Sequence, residues 1–138
     1  MEIRPVQESD RAFWFTLDQH LPKEQFDQKV REKLGYVLSV DGVAVGLMRY
    51  NFFWDEHPFC TMLYVAEEYQ GRGYGRALMI FWEKEMQQRG YKMLMTSTQV
   101  DEQAQHFYRK LGYQDAGGLL IPVPDYQQPM EIFFVKGI

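Results

Sequence analysis

What this chain folds into turns on the run Tyr64-Val65-Ala66-Glu67-Glu68-Tyr69-Gln70-Gly71-Arg72-Gly73-Tyr74-Gly75-Arg76. Ahead of it, Phe59 to Val65 is mostly apolar, the pattern of a central strand covered on both faces. Behind it, Tyr74, Ala77, Leu78, Phe81 and Trp82 repeat at helical spacing, which predicts a long amphipathic helix closed by Gly90. Between strand and helix stand Gly71, Gly73 and Gly75 at alternate positions. Glycines there let the backbone take positive φ and approach a ligand closely. The unpaired N–H groups of the first helical turn, with the helix dipole, suit a phosphate-type anion. Arg72 and Arg76 add positive charge at the rim. A dinucleotide fingerprint needs glycine where Arg76 stands, and a Walker loop needs a Gly-Lys-Ser/Thr that is absent.

On the N-terminal side, Ile3 to Val6 predicts a strand, and Ser9 is the expected N-cap of a helix from Asp10 to Leu17. Pro22 suits the first turn of a second helix carrying Phe26, Val30 and Leu34, with Gly35 as its C-terminal stop. Tyr36 to Val40 and Val43 to Phe53 predict two strands joined by the hairpin signal Asp41-Gly42. Beyond Gly90, Lys92 to Thr98 predicts a strand, and Ala104, Phe107, Tyr108 and Leu111 a helix ended by Gly112. Leu119 to Val123 and Glu131 to Lys136 are expected as closing strands. The order β-α-α-β-β-β-α-β-α-β-β predicts a single α/β (α+β) domain over residues 1–138. Its sheet is mixed, mostly antiparallel and twisted, with helices on both faces. The helix-period stretch between Val65 and Lys92 calls for a right-handed crossover, hence a parallel pair.

The Gln70-x-x-Gly73-x-Gly75 spacing between a strand and a helix resembles the acetyl-CoA loop of the GNAT superfamily of N-acetyltransferases. Downstream, Ala104-Gln105-His106-Phe107-Tyr108-Arg109-Lys110-Leu111-Gly112-Tyr113 is similar to that family's later helix. Asp101 stands where many members carry asparagine. The resemblance spans Phe59 to Tyr113 and implies an acetyl transfer from acetyl-CoA to a primary amine by direct attack, without a metal. It implies cosubstrate contacts along Leu63, Tyr64 and Val65, around Gln70, Gly71, Arg72, Gly73, Tyr74, Gly75 and Arg76, and at Asp101 and Ala104. In that geometry pantetheine lies in a splay between the strand near Val65 and the strand near Thr98, and a backbone N–H there serves the oxyanion. Tyr108 is the expected general acid, since a phenol is protonated at neutral pH and can protonate a departing thiolate. The loop Asp18-Gln19-His20-Leu21 is expected over the acceptor, with Trp14, Phe52 and Trp54 as optional aromatic walls. Asp18, Asp55, Glu56 and Glu131 are alternative bases, beside a water chain. The same residues also allow a longer acyl-CoA donor or a non-catalytic acyl-CoA sensor.

Composition narrows the partners. With 15 Lys and Arg against 19 Asp and Glu, the net charge of −4 argues against a nucleic-acid surface. The expected partner is a small-molecule or peptide amine, with a homodimer left open. A single cysteine, Cys60, rules out an internal disulfide and is expected to be a small buried hydrophobe. His20, His57 and His106 lack metal-ligand spacing. No membrane-length apolar run is present, so a cytoplasmic location is expected.

Overall fold

The computed structural model describes residues 1–138. Seven strands form one sheet: β1 (Glu2–Pro5), β2 (Gly35–Val40), β3 (Val43–Phe53), β4 (His57–Val65), β5 (Met93–Gln99), β6 (Gln114–Leu119) and β7 (Glu131–Gly137). The helices are α1 (Arg11–Leu17), α2 (Lys23–Glu32), α3 (Tyr74–Gln88) and α4 (Ala104–Lys110). Spatial order is β1-β2-β3-β4-β5-β7-β6, so β4 is the middle strand.

Side chains alternate across a strand, and the two faces have separate cores. Val37 and Leu47 pack with Trp14 and Phe26 of α1 and α2. Their neighbours Tyr36, Leu38 and Met48 pack on the other face with Leu78, Met79, Trp82 and Met86 of α3. Helices therefore cover both faces, as the element order predicts. Asp41 and Gly42 both have positive φ (51° and 80°), the geometry of the expected hairpin turn.

Every strand pair is antiparallel except β4–β5. That parallel pair touches only at Phe59–Met95 and Cys60–Thr96. Beyond Cys60 the strands separate, which is the splay expected between Val65 and Thr98.

Local punctuation differs from expectation in three places. At the first helix, Ser9 lies inside a 3-10 turn, Glu8–Asp10, that leads into α1, and Asp10 at the start of α1 makes no side-chain cap bond to it. The Asp10 carboxylate accepts the Gln7 N–H at 2.8 Å and pairs with Arg4 at 2.7 Å. The second helix ends on Lys33 in the left-handed region (φ 57°), not on Gly35. Gly35 opens β2 instead, where an added Cβ would lie 3.2 Å from both the Met48 carbonyl oxygen and the Trp14 ring. Close packing, and not a turn, requires that glycine. Finally, the penultimate strand is Gln114–Leu119 and not Leu119 to Val123. Gly117 and Gly118 are inside it, with a register shift between Asp115 and Gly117.

Candidate functional site

At the opening between β4 and β5, backbone polarity is fixed by the strand ladder. The Ala66 N–H donates to Val45 O at 2.8 Å, so Ala66 and Tyr64 face β3. In an antiparallel ladder the direction alternates, so Leu63 and Val65 turn their N–H and C=O groups into the gap. One of these is already used: the Val65 carbonyl accepts Gln70 Nε2–H at 2.8 Å. The Gln70 backbone N–H is also bonded, to Glu67 O at 3.2 Å. Gln70 thus braces the loop onto the strand, leaving the Leu63 groups and the Val65 N–H free in the gap.

The loop itself has the backbone geometry of an anion cradle. Gly71 and Gly73 have φ of 77° and 87°, and nothing lies within 4 Å of where a Cβ would stand on either. Left-handed residues alternating with extended or helical ones turn successive N–H groups toward one side. Every backbone N–H from Gly71 to Arg76 lacks a hydrogen-bond partner within the chain, the first intrahelical bond being Ala77 N–H to Gly73 O at 3.0 Å. Gly75 has ordinary helical angles, and a Cβ there would lie 3.7 Å from Phe107 and 3.9 Å from Leu63. These observations fit a pyrophosphate held by main-chain donors at the start of α3.

A cleft of about 520 Å³ runs from this cradle. β4 contributes Leu63, Tyr64 and Val65 to it, and the loop contributes Gln70, Gly71 and Gly73. Helix α3 adds Tyr74, Gly75 and Arg76, and α4 adds Ala104, Phe107 and Tyr108. Arg72 and Asp101 stand outside that lining. The Arg72 guanidinium lies over the Tyr69 ring at 5.5 Å. Asp101 is exposed and does not cap α4, whose N-cap is Gln103 without a side-chain bond. Phe107 is part of the cleft wall as well; Ala104, Phe107 and Tyr108 share one helical face, so the spacing carried that signal.

A second cavity, of about 570 Å³, adjoins the first and shares Leu63, Tyr64, Ala104 and Tyr108 with it. Thr16, Leu17, Gln19 and His20 close it from α1 and the loop after it. Thr61, Thr96 and Ser97 line its strand side, and Glu102 and Glu131 are its only carboxylates. Tyr108 is only 6% exposed and lies where the two cavities meet. Burial pushes its phenol well above the usual range, and the charges of Glu102 and Glu131 push the same way. Thr96 offsets part of this, although its own proton goes to Cys60 O at 3.1 Å. The phenol therefore stays protonated at neutral pH. Burial likewise pushes the Cys60 thiol up to about 12, and an un-ionised thiol is a poor nucleophile.

Several expected acceptor residues lie elsewhere. Trp14 is fully buried in the core on the α1 face. Phe52 packs on Tyr50 and Tyr91. Trp54, 74% exposed, sits in the β3–β4 turn with Asp55 and Glu56, against a separate apolar groove that includes Met93 and Phe133.

Asp18 is not available as a base. It is fully buried, with Arg49 Nε at 2.7 Å and Trp14 Nε1 at 3.0 Å on Oδ2. The His20 and Leu21 N–H groups reach its Oδ1 at 3.1 and 3.2 Å. Asp18 thus fastens the loop over the second cavity to β3. Removing it strands Arg49 in a mostly dry site, so Asp18→Ala costs about 3–5 kcal/mol in urea unfolding. The pH dependence has a definite sign. Burial alone would raise the Asp18 pKa, but the Arg49 hydrogen bond and charge, with the His20 and Trp14 donors, hold it below 3.8. A depressed native pKa means the contribution is full above the unfolded value and is lost as pH falls through the native one. Wild-type stability should therefore drop more steeply with acid below about pH 4 than that of Asp18→Asn, which is measurable by unfolding at stepped pH. Equal acid slopes would sink this account.

The chain belongs to the acetyltransferase (GNAT) family, whose sequence profile matches residues 3–113. This is a family of acyltransferases that use acetyl-CoA. Its fold is shared with the ribosomal-protein-S18-alanine N-acetyltransferase of Escherichia coli, at TM-score 0.84 and 21% identity over 99% of this chain and 93% of that one. Ard1 of Thermoplasma volcanium matches at TM-score 0.86 and 17% identity over 99% and 97% of the respective chains. Arabidopsis thaliana Naa50, in complex with the bisubstrate analogue CoA-Ac-MVNAL, matches at 0.81 and 13% over 99% and 98%. No curated protein matches significantly by sequence. No helix is long and apolar enough to cross a membrane.

Proposed function

We propose that this protein transfers an acetyl group from acetyl-CoA to a primary amine, by direct attack of the amine on the thioester. The observation that carries the reading is the meeting of two cavities at Tyr108, one leading to the anion cradle and the other to a carboxylate-bearing chamber. In this reading the N–H groups from Gly71 to Arg76 hold the pyrophosphate, and Arg76 adds charge at its side. The free Leu63 and Val65 groups hold the pantetheine arm as an added strand would, with one N–H facing the thioester oxygen. Tyr108 gives its proton to the departing thiolate and recovers one from solvent. Gln70 braces the loop, and Arg72 and Asp101 are left to peripheral contacts.

The acceptor is a small-molecule or peptide amine, a choice that the peptide-acting structural relatives do not narrow at their level of identity. A thiol-release assay with acetyl-CoA and a panel of alkyl amines, amino acids and peptides tests this. The expected result is amine-dependent release of free CoA with a matching acetylated product. Tight acetyl-CoA binding with no release for any amine would instead make the protein a sensor.

A further inference from the structure

Resting on that acetyltransferase reading, we infer that Glu131 receives the acceptor amine and makes the chamber select amines with no carboxylate beside them. Sequence position says little about this residue, which opens β7 far from the glycine loop. The register of the sheet brings it in, because Glu131 pairs with Gln99 at the end of β5. Its carboxylate lies on the wall of the second cavity and is held from two sides. Ser97 Oγ–H donates to Oε2 at 2.7 Å, and Gln128 Nε2–H donates to Oε1 at 3.1 Å. Each carboxylate oxygen can accept more than one hydrogen bond, so both keep capacity for an incoming ammonium.

Three further observations point the same way. Tyr108, more than nine-tenths buried, faces this chamber, and Glu131 and Glu102 are close enough to raise its proton affinity. The amine site and the proton donor are therefore within one electrostatic neighbourhood. Among the other carboxylates, Asp18 is locked to Arg49, and Asp55 and Glu56 lie in a distant turn; Glu102 shares the chamber, but it is exposed and nothing orients its carboxylate as Ser97 and Gln128 orient that of Glu131. The lining holds no lysine or arginine, and His20 is its one basic side chain, so a carboxylate on the acceptor meets no permanent cation there. Such a chamber attracts a cation and repels an anion beside it.

The proton balance follows. An ammonium loses one proton to Glu131, which passes it to solvent through the chamber. The nitrogen then forms its bond to the acetyl carbon, and its second proton goes to Glu131 as Tyr108 protonates sulfur and the carbon–sulfur bond breaks. The net products are the amide, CoA thiol and one proton.

Glycinamide and glycine form a matched pair that differs at the group in question. The wild type should turn over glycinamide with a kcat/KM at least roughly tenfold above that for glycine. Glu131→Gln keeps the shape, its amide oxygen still accepting from Gln128 while its NH2 donates to Ser97 Oγ; its kcat/KM for glycinamide should fall about 10²-fold and the ratio between the two amines should narrow. Glu131→Asp should recover part of the preference, and the KM for acetyl-CoA should stay within about twofold throughout, since the donor cleft is unchanged. A Glu131→Gln enzyme with wild-type kcat/KM and an unchanged ratio overturns the assignment while leaving the acetyltransferase intact. Absence of wild-type turnover with every amine would end both.

Discussion

Replacing Tyr108 by phenylalanine should lower kcat by about 10²–10⁴, the usual worth of a positioned general acid. The substitution isolates one atom. The ring packs against Phe107, Tyr113 and Phe134 at centroid distances of 5.3, 6.0 and 5.9 Å, and phenylalanine keeps all three contacts. Folding stability should therefore stay within about 1 kcal/mol of wild type. The KM for acetyl-CoA should move little, because the hydroxyl acts as charge develops on sulfur. The measurement requires chemistry to limit turnover, which the absence of a pre-steady-state burst establishes. Wild-type kcat under those conditions would reduce Tyr108 to a core ring and leave water as the proton donor.

The second large effect is loss of ligand protection in Gly73→Val and Gly75→Val. Acetyl-CoA at about 100 times its dissociation constant should stabilise the wild type by roughly 2.7 kcal/mol. Both variants should lose that shift, for different reasons. Gly73 has a φ of 87°, so a branched side chain must leave the left-handed region and takes the cradle with it. Gly75 is helical, and its added Cβ makes ordinary contacts with Phe107 and Leu63; its methyls then stand in the cleft. Gly73→Val should also lower the unliganded melting temperature, and Gly75→Val should do so less. Thermal unfolding with and without acetyl-CoA separates the two effects. An undiminished shift in both variants would remove the loop from the site.

Much of this was legible in the chain. The expected element order matches the observed one, because the long segments carry clear periods and the Asp41-Gly42 turn has specific chemistry. The loop residues from Gln70 to Arg76 gather around one cleft, apart from Arg72. The errors fall where one residue type serves two purposes. Gly35 suits a helix stop by composition, but the Trp14 ring and Met48 carbonyl crowd it inside a strand, and that contact crosses elements. The strand expected over Leu119 to Val123 is instead Gln114–Leu119, which pairs with β7 through Gly117 and Gly118. Ser9, the expected N-cap, lies instead inside a 3-10 turn whose last residue, Asp10, bonds back to the Gln7 N–H and to Arg4.

By itself, then, the sequence determined the class of fold and the glycine turn at the start of α3, since both depend on local spacing and backbone preference; Tyr108 was singled out by the family resemblance. The tertiary structure decided which acids and aromatics face the acceptor. Asp18 and Glu131 are both carboxylates that follow an apolar residue in the chain. Only packing gives one a guanidinium in a closed site and the other a place on a cavity wall. Trp14 and Trp54 are similarly alike in sequence, one sealed in a core and one exposed at a turn. Burial and pairing are properties of the neighbours that long-range register brings in. A carboxylate's role depends on those neighbours through desolvation and charge, which no local spacing encodes.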